Sequence, residues 1–286
     1  MRELQIPAYA KINLTLDVLG KRPDGYHELS MVMQSVSLAD TVTLRQTADP
    51  ELSLTTNLGF LPGADKNIAA VAARVFAAHT GVSLAGLQIE LEKRIPVCAG
   101  TAGGSSDGAA VLRGLNDWFS TGLSLEELAR MGEEVGSDVP YCVLGCTALA
   151  QGRGEKLTRL PALPECYIVL CKPAFPISTP ELFHRIDEVK LHFHPDTAGV
   201  IQALEQGDLI GVSRRMFNVF EEVLPPARQA VIQEIKNTLL SQGALGACMS
   251  GTGPTVFGIF DQEAPARAVC AKLKESYQET FFTHNV

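Results

Sequence analysis

Residues 99–110 read "AGTAGGSSDGAA", and an apolar stretch that predicts a helix follows them. Glycine allows backbone conformations and close approaches that other residues resist, so this loop is suited to holding a ligand against its backbone. The first amides of a helix point outward and carry partial positive charge, which favours an anion such as phosphate. We expect Ser105 or Ser106 to cap the helix. A capped helix after a glycine-rich turn, with no ligand, is the structural alternative.

Two familiar glycine motifs do not fit this loop. A P-loop needs a lysine after its last glycine, and none follows Gly103 and Gly104; the dinucleotide pattern G-x-G-x-x-G is also absent. Residues 104–108 do match G-x-S-x-G, with Ser106 in the position of a serine nucleophile. Such a serine normally follows a buried strand directly, whereas small flexible residues precede it here. A serine hydrolase therefore stays open as the alternative class of enzyme.

Other polar residues support a site for phosphoryl transfer. In "YAKINL" (9–14), Lys11 and Asn13 are two apart on a predicted strand and so share one face. In "SDVP" (137–140), Asp138 precedes what we predict to be an apolar strand, and "SGTGPT" (250–255) forms a second glycine turn. Phosphoryl transfer needs a phosphate cradle, a cation for the spreading charge and a carboxylate that faces the acceptor hydroxyl. The sequence contains each of these parts.

Composition excludes several other classes of protein. The 286 residues carry a formal net charge of −8, with 46% hydrophobic and 20% charged residues, which is an ordinary globular balance. Lysine and arginine are scattered, so we expect no nucleic-acid partner and no membrane surface. No signal peptide and no apolar stretch of about 18 residues is evident. Seven cysteines without a C-x-x-C pair predict reduced thiols and a cytoplasmic location.

Strand and helix signals alternate along the whole chain. The first 55 residues read as strands, and a helix over about 66–79 has Asp65 as its expected N-cap and Gly81 as its expected C-cap. Residues 87–95 alternate apolar and polar side chains, which predicts a half-buried strand. Ser124 and Glu127 form a capping box that begins another helix. Residues 138–152 read as a buried pair of strands.

The proline-rich segment "LPALPE" (160–165) is the best candidate for a domain boundary. Strands and helices are mixed on both sides of it, so the predicted class is α+β with two domains, residues 1–162 and 163–286. His192 and His194 would share a face on a strand and could bind a metal there. A solvated loop or strand end is the alternative for these two histidines.

With these motifs in place, the chain resembles the kinases of the galactokinase, homoserine kinase, mevalonate kinase and phosphomevalonate kinase superfamily. The loop at 99–110 is similar to that family's second motif, and residues 250–255 are similar to the third. Residues 7–29, "PAYAKINLTLDVLGKRPDGYHEL", and residues 136–155, "GSDVPYCVLGCTALAQGRGE", resemble one branch in particular. That branch phosphorylates the 2-hydroxyl of a cytidine-diphosphate ester of methylerythritol, in the non-mevalonate route to isoprenoid precursors.

The resemblance implies a fold and a set of residue roles. The N-terminal domain would be like domain 2 of ribosomal protein S5 and the C-terminal domain would be ferredoxin-like, with the active site in the cleft between them. Lys11 and Asp138 would be the catalytic pair, and Asn67 and Lys93 would lie near the adenosine. The substrate would contact Asn13, Tyr26, His27, Thr179 and Phe183. The ATP phosphates would contact Pro96, Val97, Cys98, Ala99, Gly100, Thr101, Ala102, Gly103, Gly104, Ser105 and Ser106.

The loop departs from the family pattern at several small residues. Thr101 stands where leucine is usual, Ala102 where glycine is common, and Cys98 where glycine or alanine is usual. The resemblance implies ATP with Mg²⁺, whose protein ligands stay unassigned apart from Ser106 as a candidate. We expect small-molecule substrates and a monomer or weak homodimer. A kinase for another alcohol, such as mevalonate or homoserine, and a nucleotide-binding module without catalysis remain as alternatives.

Overall fold

The computed structural model describes residues 2–286, and the contacts within it divide the chain into two compact units. The first unit comprises residues 2–10, 39–97 and 102–145, and the second comprises residues 11–38, 98–101 and 146–286. Two long strands, β1 (Glu3–Lys21) and β2 (His27–Gln46), run through both units. The units are therefore interleaved along the chain, and the predicted boundary between residues 162 and 163 stays a prediction.

The first unit combines a mixed sheet with four helices. Beyond β1 and β2 its elements are β3 (Ser53–Thr56), α1 (Ile68–Thr80), β4 (Leu87–Glu92), α2 (Gly103–Phe119), α3 (Leu125–Val135) and α4 (Val139–Leu144). Its strand order is β3-β4-β2-β1, with β4 antiparallel to β2 and β3 parallel to β4. The apolar residues of β4 alternate into the core with those of α1 and α2, as predicted.

Local capping explains where the helices of this unit begin and end. The capping box at the start of α3 is confirmed, because Ser124 Oγ accepts the Glu127 amide and the Glu127 carboxylate accepts the Ser124 amide. Gly81 ends α1 with a φ of 72°, as predicted. The predicted N-cap Asp65 is wrong, because Asn67 Oδ1 accepts the Ala69 amide at 3.0 Å. The helix therefore starts at residue 68.

Helix α2 begins earlier than predicted and without a side-chain cap. Its N-cap is Ala102, at a φ of 57°, and Ser105 and Ser106 lie inside the first turns. The prediction that one of these serines caps the helix is therefore wrong. A Cβ at Gly108 would stand 3.0 Å from the Ile68 side chain, and one at Gly104 would stand 3.2 Å from it. These two glycines thus allow α2 to pack closely against α1.

The segment after Asp138 is a helix and not the first strand of a pair. Residues 139–144 form α4, with Pro140 in its first turn and Gly145 as its C-cap. Only the second half of the predicted strand pair is a strand, β5 (Thr147–Gly152). A short apolar run is equally compatible with a buried strand and a buried helix, so periodicity alone cannot separate the two.

The second unit contains two sheets. Its further elements are β6 (Lys156–Arg159), β7 (Tyr167–Lys172), α5 (Thr179–Glu188), α6 (Thr197–Glu205), α7 (Leu209–Arg214), β8 (Phe217–Asn218), α8 (Pro226–Ser241), β9 (Gly246–Met249), β10 (Val256–Phe260), α9 (Glu263–Lys274) and β11 (Glu279–His284). One sheet has the order β6-β5-β2-β1-β8. The other is antiparallel with the order β11-β7-β10-β9, and α8 and α9 pack against it. This β-α-β-β-α-β arrangement is ferredoxin-like.

Two smaller expectations concern surface segments. Residues 190–196 form no strand, and His194 Nδ1 instead lies 2.8 Å from Asp17 Oδ1. Within residues 2–286, no group of three or more histidine, cysteine, aspartate or glutamate side chains could hold a metal ion. These observations fit the alternative of a solvated loop and give no support to metal binding by His192 and His194. No helix in the described part of the chain is long and apolar enough to span a membrane.

Candidate active site

Lys11 lies at the centre of a buried polar cluster in the second unit. Its Nζ donates to Asn13 Oδ1 at 2.7 Å, and its backbone amide donates to Thr101 O at 3.1 Å. The alternation of β1 places both side chains on one face, as predicted, and Lys11 is only 4% exposed. Asn13 is held in turn, because its Nδ2 contacts Met31 Sδ at 3.4 Å. The ammonium group is therefore fixed before any ligand binds.

The two glycine turns meet beside this lysine. Ser250 Oγ donates to Gly100 O at 2.9 Å, and the Asn13 amide donates to Ser250 Oγ at 3.3 Å. A Cβ added to Gly251 would stand 2.9 Å from Gly100 O and 3.3 Å from Lys11 Nζ. Gly251 has a φ of 58°, so both its conformation and its surroundings require glycine. The ammonium group of Lys11 thus lies beside the backbone of this turn as well as beside the Asn13 side chain.

Asn218 holds the second turn in place, and the sequence analysis did not single it out. Its Nδ2 donates to Met249 O and to Gly251 O, both at 2.8 Å, while its Oδ1 accepts the Phe220 amide. Ser250 was also missed, although it lies within a motif that the analysis quoted. A buried asparagine that serves three backbone groups has no local sequence signature, because its partners come from elsewhere in the chain.

In the first unit, the N-terminus of α2 has the properties of an anion site. Its N-cap Ala102 offers no side-chain acceptor, and no acidic residue lies in its first turn. The first amides of a helix have no partner within the helix and are commonly satisfied by capping side chains, water or ligands. Gly104 is exposed and Gly103 is half-buried at this end. An incoming phosphate group would therefore meet amides that no side chain of the N-cap blocks.

Ser106 does not have the surroundings of a nucleophile. Its Oγ donates to Tyr9 O at 2.5 Å and contacts Cys142 Sγ at 3.4 Å, and the residue is 1% exposed. A serine nucleophile needs a neighbouring base and access to its substrate. The structure therefore gives no support to the serine hydrolase alternative. The same burial argues against Ser106 as a ligand of Mg²⁺.

Asp138 marks the start of α4 in the first unit. It is half-buried and sits at the N-cap position, yet its side chain makes no capping hydrogen bond to the helix. Its backbone carbonyl accepts the Cys142 amide at 3.0 Å, so the main chain already satisfies the first turn. Pro140 at the second helical position lacks an amide hydrogen and so leaves one donor fewer to satisfy. The carboxylate is therefore not needed to begin the helix.

Two of the residues that depart from the family pattern, Cys98 and Ala102, adopt a backbone conformation that favours glycine. Their φ angles are 52° and 57°, in the left-handed region. Cys98 is an exposed free cysteine, so its thiol is accessible to reagents. Gly100 lies between them with a φ of 77°, and a Cβ there would stand 2.0 Å from Ser250 O. The small residues thus preserve the course of the loop.

Asn67 and Lys93, which the resemblance places near the adenosine, both have structural partners in the first unit. Asn67 caps α1 and also donates from Nδ2 to Pro62 O at 3.2 Å. Lys93 Nζ donates to the carboxylates of Asp40 and Asp107, and the latter distance is 2.5 Å. Asp40 also accepts the Ile95 amide at 2.8 Å. The contacts to adenosine stay a prediction for both residues.

Asp107 is the member of this buried ion cluster whose carboxylate is incompletely hydrogen-bonded. Its Oδ1 has no hydrogen-bond partner in the described part of the chain, and the residue is 3% exposed. Burial raises the pKa of Asp107, and the charge of Asp40 adds to the rise, while Lys93 opposes it; the resulting pKa is about 7 against the usual 3.8. Burial in the core, together with a second carboxylate that faces the same ammonium group, explains the raised pKa of Asp107.

We predict that Asp107→Asn removes a pH dependence of stability. The raised pKa means that the folded state binds this proton more tightly than the unfolded chain does. The stabilisation from this group is therefore complete below pH 3.8 and is lost as the pH rises towards 7. The melting temperature of Asp107→Asn minus that of the unmodified protein should therefore increase as the pH is raised from 3.8 to about 7. Asp117→Asn, at an exposed site on the same helix, is the control and should show a constant difference.

The residues expected at the cytidine end of the substrate gather in the second unit. The His27 and Phe183 rings are stacked with centroids 4.6 Å apart, and Phe183 meets Phe220 edge-on at 5.0 Å. Tyr26 is 55% exposed, with the Arg153 guanidinium 5.1 Å from its ring centroid. These rings offer the flat apolar surfaces on which a base can stack.

Thr179, the fifth residue expected to contact the substrate, connects α5 to the second glycine turn. Its Oγ1 lies 2.9 Å from Thr252 Oγ1, and both threonines belong to the second unit. Thr179 is an exposed residue at the start of α5, where Ser178 caps the helix. The structure thus brings part of the expected substrate site to the turn that also contacts Lys11.

Comparison with known proteins identifies the class. The family model of the GHMP kinases N terminal domain matches residues 67–146, and that of the GHMP kinases C terminal matches residues 200–279. A homoserine kinase from Cytophaga hutchinsonii has the same fold, with a TM-score of 0.76 over 100% of this chain and 95% of that one, at 19% identity. The predicted α+β, two-domain architecture of a GHMP kinase is confirmed.

More similar relatives narrow the assignment. The 4-diphosphocytidyl-2-C-methyl-D-erythritol kinase of Lachnoclostridium phytofermentans is 46% identical over 98% of this chain and 96% of its own. That of Brevibacillus brevis is 43% identical over 97% of this chain and 94% of its own. A crystal structure of the same kinase has a TM-score of 0.81 at 29% identity, covering 99% of both chains. This chain belongs to the 4-diphosphocytidyl-2-C-methyl-D-erythritol kinases of the GHMP family.

Proposed function

We propose that this protein transfers the γ-phosphoryl group of ATP to the 2-hydroxyl of 4-diphosphocytidyl-2-C-methyl-D-erythritol, in the non-mevalonate route to isoprenoid precursors. The observation that carries the proposal is near-full-length identity of 42–46% to relatives that bear this activity in their names. The arrangement of Lys11, the two glycine turns and the ring pair of His27 and Phe183 supports it.

In this proposal Lys11 stabilises the negative charge that develops during transfer. Its Nζ is oriented by Asn13 Oδ1 and lies beside the backbone of Gly251, so little reorganisation is needed when the charge appears. Fixed positive groups in a buried environment stabilise a transition state more effectively than mobile ones in water. Asn13 acts here as the residue that positions the lysine, and it would also contact the substrate.

Asp138 would orient or deprotonate the acceptor hydroxyl. A carboxylate accepts hydrogen bonds from hydroxyl groups, and the Asp138 side chain is not used to cap its own helix. Its position at the start of a helix that packs against α2 and α3 gives the residue a rigid support. The pH profile of turnover distinguishes removal of the proton by Asp138 from alignment of the hydroxyl.

The phosphates of ATP would rest on the segment 96–106 and on the amides at the start of α2. The uncapped N-terminus of this 17-residue helix fits a polyphosphate. Mg²⁺ usually binds through substrate phosphates, water and only one or two protein oxygens. That mode fits a chain in which residues 2–286 contain no cluster of three ligating side chains. When bound, Mg²⁺ would neutralise charge on the phosphate oxygens.

The cytidine would bind at Tyr26, His27 and Phe183, with Thr179 nearby. Stacking on an aromatic ring contributes roughly 1–3 kcal/mol per base, and hydrogen bonds at the edge of the base provide selectivity. A monomer or weak homodimer in the cytoplasm remains our expectation for the assembled enzyme.

The proposal is tested by following ADP release with ATP and Mg²⁺ in the presence of three separate acceptors. We expect turnover with 4-diphosphocytidyl-2-C-methyl-D-erythritol and none above background with mevalonate or homoserine. The Asp138→Asn variant, purified in the same way, controls for contaminating kinases. Turnover with mevalonate or homoserine but not with the cytidylyl compound would contradict the proposed substrate, and label on Ser106 from a fluorophosphonate probe would revive the hydrolase.

A further inference from the structure

Asp187 has two basic partners in the second unit, one on each carboxylate oxygen. Its Oδ1 lies 2.7 Å from His27 Nε2, and its Oδ2 accepts from Lys21 Nζ at 2.7 Å. Hydrogen bonds from Lys21, then from His27, lower the pKa of Asp187 below its ordinary value. The carboxylate is therefore ionised and acts only as an acceptor near neutral pH.

This geometry determines which nitrogen of His27 carries the proton. Because an ionised carboxylate can only accept, His27 Nε2 must carry the hydrogen that lies between them. In the neutral ring the other nitrogen, Nδ1, then has a lone pair and is an acceptor. Among residues 2–286, no side chain or backbone group hydrogen-bonds to His27 Nδ1.

One helix holds both the face and the edge of the His27 ring. Phe183 and Asp187 are four residues apart on α5 and so lie on the same side of the helix. Phe183 stacks on the face of His27, with the ring planes 25° apart, and is itself braced edge-on by the buried Phe220. Since the His27 side chain is 9% exposed, its orientation and its tautomer are both restricted before a ligand arrives.

We propose that Asp187 is a positioning residue that makes the enzyme selective for cytidine over uridine. It holds His27 as the Nε2–H tautomer, so that Nδ1 presents an acceptor to the exocyclic amino group of cytosine. Uracil carries a carbonyl oxygen at that position, and two acceptors would face each other. This proposal rests on the proposed function, because it assumes that His27 contacts the base of the substrate.

The first experiment examines the free protein and needs no substrate. Long-range ¹H–¹⁵N correlation spectra distinguish the two neutral tautomers of histidine, and His27→Gln identifies the signal. We expect the Nε2–H tautomer in the unmodified protein and a mixture of tautomers in Asp187→Ala. Glu188→Ala removes the neighbouring exposed carboxylate, which pairs with His184; it is the matched control and should leave the His27 signal unchanged. An Nδ1–H tautomer in the unmodified protein would overturn the proposal.

The second experiment measures kinetics with the cytidylyl substrate and its uridylyl analogue. For Asp187→Ala we expect KM for the cytidylyl substrate to rise roughly tenfold or more, with kcat within about threefold, because a charge-assisted hydrogen bond is lost outside the reacting centre. The preference over the uridylyl analogue should fall by a similar factor. Lys21→Met keeps the His27 contact and should change both quantities less.

The outcomes separate this proposal from the proposed function. Absence of turnover by the unmodified protein would contradict the proposed function, while the spectra would still test the tautomer. Turnover with unchanged base preference in Asp187→Ala would overturn the role of Asp187 alone. Circular dichroism and thermal melting of each variant establish that the fold is retained, which is expected because Asp187 is partly exposed.

Discussion

Asp138→Asn is expected to lower kcat about 10²- to 10⁴-fold, the range for loss of a general base. The amide retains the size of the carboxylate but cannot take up the proton of the acceptor hydroxyl. Because the Asp138 side chain does not cap α4, the helix should form as before. The dissociation constant for ATP, measured by isothermal titration calorimetry, should change less than about threefold. The reason is that Asp138 acts on the acceptor hydroxyl and does not contribute to the binding of ATP in the ground state.

Two further variants sharpen this prediction. Glu133→Gln makes the same chemical change at an exposed carboxylate of α3 and should leave kcat unchanged. Lys11→Met should lower kcat about 10²- to 10³-fold, as expected for removal of one preorganised charge-stabilising group. A residual rate in Asp138→Asn that rises with pH would assign the carboxylate as a base. Near-normal turnover in that variant would remove Asp138 from the catalytic pair.

Lys93→Met is expected to destabilise the protein by about 3–5 kcal/mol, the usual loss when one partner is removed from a buried ion cluster. The substitution leaves the carboxylates of Asp40 and Asp107 facing each other with no cation, and both side chains are at most 4% exposed. Urea denaturation at pH 8 measures the change in free energy of unfolding. Adding Asp107→Asn to this variant should recover part of the loss, because one buried charge is then absent.

The control for Lys93→Met is a substitution at the neighbouring residue, Arg94. Arg94→Met removes an exposed side chain whose weak ion pair with Glu92 spans 3.7 Å, and it should change stability by less than about 0.5 kcal/mol. If Lys93 acts mainly through the adenosine, its variant would instead raise KM for ATP with an unchanged free energy of unfolding. That result would contradict the structural role that the ion cluster assigns to Lys93.

Local signals in the sequence predicted much of the secondary structure. The helix predicted over about 66–79 is found at residues 68–80, and the capping box at Ser124 and the alternating strand from residue 87 are confirmed. Each depends on residues within about one or two turns of each other, where capping and periodicity operate. One error lies at residues 139–144, where a short apolar run fits both a strand and a helix. Another lies at the start of α2, where Ala102 and not Ser105 or Ser106 is the N-cap.

The sequence by itself determined the class of protein, because residues 7–29, 136–155 and the two glycine turns are contiguous motifs. Tertiary structure alone decided which side chains act together. Asp40, Lys93 and Asp107 form one ion cluster although up to 67 positions separate them, and Ser250 reaches Gly100 across 150 positions. Asp187 meets His27 across 160 positions. Such pairings depend on chain packing, which no local spacing encodes.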